Sequence, residues 1–87
     1  MKKLLSDGIE ARVGMIVVLI SSQFSGNDIG TITEILSLNG GKEEGIPSVI
    51  CSYVVDKVVE PHTGMIEACY DLRKATKAEE EEFYLYN

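Results

Sequence analysis

Cys51, His62 and Cys69 are the residues of this 87-residue chain whose types suit covalent or metal chemistry. A thiol beside the imidazole, with a carboxylate to orient the ring, would make a nucleophile. The same three side chains would offer soft ligands to a zinc-like ion. Their spacing supports neither use. Neither Cys belongs to a CxxC pair, the chain has one His, and both Cys lie in apolar runs that predict buried strands. They read as reduced thiols serving as small apolar core residues, and His62 reads as a solvated turn residue. Gly40-Gly41-Lys42 begins like a phosphate cradle, but Glu43 and Glu44 follow at once and would repel phosphate. The sequence therefore predicts no catalytic residue, no metal site and no cofactor. The chain reads as a non-enzyme.

Charge carries the next signal. Lys and Arg number 8 against 14 Asp and Glu, for a net charge of −6. Phosphate-backbone binding needs clustered cations, so direct nucleic-acid binding is not expected. Glu79, Glu80, Glu81 and Glu82 supply four of the six net negative charges, which leaves the first 77 residues nearly neutral, with 8 positive and 10 negative. This acidic run ends in Phe83, Tyr84 and Tyr86. Charge beside aromatic anchors suits docking on a basic protein groove; the plainer use is a solvated helix face. Phe24, Asn27 and Asp28 in one polar loop, and Glu43 and Glu44 in another, complete the candidate partner-binding set. Asp28, Glu43, Glu44, Asp56, Glu60, Glu67 and Asp71 read as loop and strand-exterior carboxylates, serving either as solubilising charge or as an imitation of nucleic acid.

The elements that must hold these groups are short. One domain fits the length, and folding should bury roughly 60–65% of the unfolded surface. Residues 13–20 (VGMIVVLI) are β-branched and predict a strand buried on both faces. Residues 21–30 are a loop, with Phe24 and Ile29 placed to tuck inward. Residues 31–38 predict a second strand, with Ile32, Leu36 and Leu38 on one face, Thr31, Thr33 and Ser37 on the other, and a bulge near Glu34 and Ile35. Residues 48–60 predict one bent strand or two short ones. Pro61 to Gly64 reads as the turn of a hairpin, followed by an alternating strand over 65–72. Thr76 and Glu79 have capping-box spacing, which predicts a short helix over 77–84. The lead-in (1–12) has Leu4, Leu5 and Ile9 to lay against a body (13–75), with the tail at 76–87. Asp7 and Glu10 interrupt a leader-like start, and the longest apolar run, of six residues, is too short to span a bilayer. The expectation is an all-β, five-stranded small barrel with a C-terminal helix, in the cytoplasm.

Gly14 and Val17, followed by a polar loop and then Gly30, Ile32 and Ile35, resemble the KOW-type motif of SH3-like barrels. The stretch from Cys51 to Leu72, with its exit through Arg73 to Thr76, is similar to the last strands of small bacteriophage-encoded barrels. The resemblance implies an SH3-like fold and a viral accessory protein that modulates or inhibits a bacterial host protein in the host cytoplasm. KOW modules carry cations in the glycine-flanked loop, whereas residues 21–28 here (SSQFSGND) have none. The implied function is thus protein binding. The alternatives are a KOW-like factor in a nucleic-acid-processing complex, an acidic nucleic-acid mimic, or a homo-oligomer built on an open sheet edge.

Overall fold

β-Branched and apolar residues dominate the middle of the chain, and a computed structural model, which describes residues 2–22, 26–40 and 45–87, arranges them as one sheet. The strands are β1 (Ile16–Leu19), β2 (Ile32–Ser37), β3 (Ser48–Val55), β4 (Val58–Ala68) and β5 (Leu72–Lys74). All pairings are antiparallel, in the order β4-β3-β2-β1-β5. A 3-10 turn (Cys69–Asp71) leads into β5, and helix α1 (Lys77–Tyr86) ends the chain. The protein is mainly β with one short C-terminal helix, as its patterning predicts.

β1 lies between β2 and β5 and is buried at all four positions. Val17 and Leu19 enter the main core with Leu5, Ala11, Ile35, Val49, Cys51, Cys69 and Leu72. Ile16 and Val18 enter a second cluster with Ala75 and Phe83, against which Ile32 and Val59 pack. The expected double burial therefore has two sources: the main core on one side and the cluster that includes Phe83 of the helix on the other. The strand begins three residues later than expected. Gly14 has φ +91° and turns the chain, which leaves Val13 exposed.

Several expectations are corrected. On β2 the inward residues are Thr33 and Ile35, both fully buried, while Leu36 and Leu38 are exposed. Ile32 faces the second cluster, and the register shifts between Ile35 and Ser37, where a bulge was expected. Thr33 tolerates burial because its hydroxyl donates to the Ser52 carbonyl at 2.6 Å. The hairpin reverses at Asp56 and Lys57 rather than at Pro61 to Gly64. Both turn residues have positive φ (50° and 70°), and Val55 pairs with Val58 across them, the backbone handedness a two-residue hairpin needs. Pro61, His62 and Thr63 instead form a bulge within β4, between the Ser52–Gly64 and Tyr53–Glu60 pairs. The strand expected over 65–72 is split by the 3-10 turn, and Glu67 and Ala68 at the end of β4 and Cys69 at the start of the turn are buried in succession. In the lead-in, Leu5 alone of the three expected apolar residues is buried, beside an antiparallel Leu4–Glu10 bridge.

The helix start matches its signal in detail. Thr76 Oγ1 accepts from the Glu79 amide at 3.2 Å, and Glu79 Oε1 accepts from the Thr76 amide at 2.8 Å. Arg73 adds a two-pronged contact to the same carboxylate, at 2.7 and 2.8 Å. Thr76→Ala should destabilise the fold by about 1 kcal/mol, read as a lower urea midpoint. An unchanged midpoint would show that the cap contributes nothing to helix stability.

Candidate functional site

Loop and helix meet at the turn end of the β3–β4 hairpin, and the side chains that join them are amides. Asn27 is 4% exposed. Its Oδ1 accepts from the Val54 amide at 3.0 Å, and its Nδ2 donates to the Ser52 carbonyl at 3.0 Å and to Glu67 Oε2 at 3.2 Å. It pins the β1–β2 loop to β3, so it is an internal strut rather than the surface contact residue expected from its loop position. Across the hairpin, Asn87 Oδ1 accepts from the Val59 amide at 2.8 Å, while its Nδ2 donates to the Lys57 carbonyl at 3.0 Å. This fixes the end of α1 to the turn.

Between these two attachments lies a cleft of about 310 Å³, lined by Gly26, Asp28, Gly30, Thr31 and Ile32 from the loop and β2, by Tyr53 to Lys57, and by Glu82, Phe83 and Tyr86. That volume sits near the lower end for ligand sites and suits one or two side chains. Lys57 Nζ lies 3.2 Å from Glu82 Oε1 and 5.1 Å from the Tyr86 ring centroid. The hydrogen bond to Glu82, then its charge and Tyr86, hold the Lys57 ammonium above its ordinary range. Three carboxylates, Asp28, Asp56 and Glu82, thus share the lining with one cation.

The structure brings four of the expected contact residues, Asp28, Glu82, Phe83 and Tyr86, to this one cleft. Phe83 is mostly core, at 5% exposed, and Glu79 is engaged by Thr76 and Arg73. Glu81 and Tyr84 are exposed and Glu80 half-buried, outside the cleft lining. Phe24, Glu43 and Glu44 lie outside the described residues, while Ile29 is exposed rather than tucked in. Tyr53 and Lys57 are the lining residues that sequence reasoning missed. The signal for Lys57 was Val-Val-Asp-Lys-Val-Val, two polar residues between β-branched pairs.

Under the loop lies a polar pocket of the core. Glu67 and Asp71, read from sequence as exterior, are buried at 0% and 3% exposed. Asp71 Oδ1 accepts from the Ser21 hydroxyl. Glu67 Oε2 accepts from Asn27, but its Oε1 has no hydrogen-bond partner among the described residues. Burial pushes the Glu67 carboxyl up to about 7, against the lowering effect of the Asn27 bonds, with Asp71 adding to the rise. Burial also pushes the Cys51 thiol well up, reinforced by Glu67 and Cys69, and raises Cys69. Both thiols are free and buried, so they stay protonated where a nucleophile would need the thiolate. His62 is exposed on the β4 bulge. Among the described residues, no three His, Cys, Asp or Glu side chains are grouped to hold a metal ion, and no helix is long and apolar enough to cross a membrane. Compared with known proteins, this chain matches no family model, no curated protein and no solved structure.

Proposed function

We propose that this chain is a non-enzymatic protein-binding module on an SH3-like barrel. The β4-β3-β2-β1-β5 order, with a 3-10 turn feeding β5, supports the barrel. The observation that carries the function is the cleft at the hairpin end, where a loop, a turn and the acidic helix converge on two tyrosines. Tyrosines contribute large contact area at little entropic cost and are enriched in protein interfaces. The carboxylate excess around them supports a protein partner over nucleic-acid phosphate. The likeness of its last strands to bacteriophage barrels extends the proposal to an accessory role on a bacterial host protein.

Immobilised protein and its Tyr53→Ala variant, incubated in parallel with bacterial lysate, test this. A band recovered in stoichiometric amount by the parent and lost with the variant is the expected result. A band that both retain would take the cleft out of binding, and no stoichiometric band would sink the proposal for a bacterial partner.

A further inference from the structure

An ammonium group already occupies the acidic corner of the cleft. Lys57 holds the second position of the hairpin turn with φ 70°, a conformation for which a lysine has no intrinsic preference. Its Nζ sits against the Glu82 carboxylate at 3.2 Å and over the Tyr86 ring at 5.1 Å. The pair is solvent-accessible, with side-chain exposures of 59% and 43%. Exposed ion pairs and cation–ring contacts of this kind are weak and open readily. Asp28 and Asp56 line the same cavity, so one Lys leaves the site short of positive charge. The described residues offer the cavity no second cation.

We infer that the cleft recognises a cationic side chain, an arginine or lysine presented by a partner protein, and that Lys57 is its intramolecular stand-in, displaced when the partner binds. This rests on the reading of the cleft as the partner-binding site and adds the chemistry of what enters it. A guanidinium is the better competitor. It is planar, it stacks on a tyrosine face and it bridges carboxylate oxygens in a fixed fork, whereas an ammonium acts as a point charge. The Asn87 and Asn27 attachments hold both walls while Lys57 swings out, since Asn87 binds the Lys57 carbonyl and not its side chain. Exchange therefore requires a side-chain rotation and no opening of the fold.

The test is an amide NMR titration with a capped alanine-based peptide bearing one central arginine, beside the same peptide with norleucine. The expected result is saturable shifts in the amides of Asp28, Thr31, Val54 and Lys57 with the arginine peptide alone. Lys57→Gln, which removes the competitor, should tighten binding about fivefold, the equivalent of one exposed ion pair lost from the free state. Glu82→Gln should weaken it about tenfold. Equal binding of the two peptides, shifts elsewhere on the surface, or unchanged or weakened binding in Lys57→Gln would each overturn the inference. Tyr53-dependent capture from lysate without arginine-peptide binding would overturn cation recognition and leave the cleft as the partner site. Loss of both would overturn both.

Discussion

Phe83→Ala is expected to lower the unfolding free energy by about 3–4 kcal/mol, with loss of helical circular dichroism. Phe83 is the buried residue of α1. Its ring fills the space between Ile16, Val18 and Ala75, with Ile32 and Val59 against it. Truncation removes most of the apolar contact that seats the helix, and a domain of this size has a total stability of only about 5–10 kcal/mol. The remaining attachments are polar: Arg73 to Glu79, Lys57 to Glu82, and Asn87 to the turn. Phe83→Leu keeps most of the volume and should cost less than about 1.5 kcal/mol. Urea unfolding followed at both helical and near-ultraviolet wavelengths measures these losses. A Phe83→Ala midpoint within error of the parent would mean that the polar latch, not the ring, seats the helix.

The second large effect is a stability that falls as pH rises through neutrality. Glu67 is fully buried, and its carboxyl is pushed up to about 7 from an ordinary 4.5, first by burial. Between those values the folded state binds a proton that the unfolded chain releases, so stability declines with pH. The contribution is fully present below about 4.5, is lost as pH passes 7 and levels off above it. The shift corresponds to about 3 kcal/mol. Glu67→Gln keeps the shape and removes the titration. It should match the parent near pH 5, exceed it near pH 8 and show a nearly flat profile between. Parallel profiles for parent and variant in thermal melts would exclude Glu67 as the source. Glu79 acts in a separate window with opposite sign. The Arg73 contact and then the Thr76 amide lower it to about 2, so its contribution is present above about 4.5 and lost as pH falls toward 2.

What was legible in the sequence follows from how local each cause is. The capping box needs only Thr76 and Glu79 three positions apart, and it forms as written. The double burial of β1 was legible because its residues are apolar whichever face they present. The β3–β4 reversal was not, because Asp56 and Lys57 take left-handed conformations without a glycine, while the Pro61–Gly64 composition marks a bulge instead. Nor was the burial of Glu67, since the 3-10 turn after it breaks the two-residue phase on which face assignment depends. Asp28 and the tail were picked out separately, for charge and aromaticity. Their convergence depends on Asn27 and Asn87, two amides with long-range partners that no spacing rule reveals.

The position of β1 has a consequence for synthesis. One of its edges pairs with β2, which follows closely in the chain, but the other waits for β5, where Val17 meets Lys74 and Leu19 meets Leu72. On the ribosome, the most apolar strand therefore has an open edge until Leu72 to Lys74 have emerged, while the β3–β4 hairpin can zip up at once from its own turn. The nascent chain is most exposed to edge-to-edge association in that interval, and β5, only three residues long, is the piece that ends it.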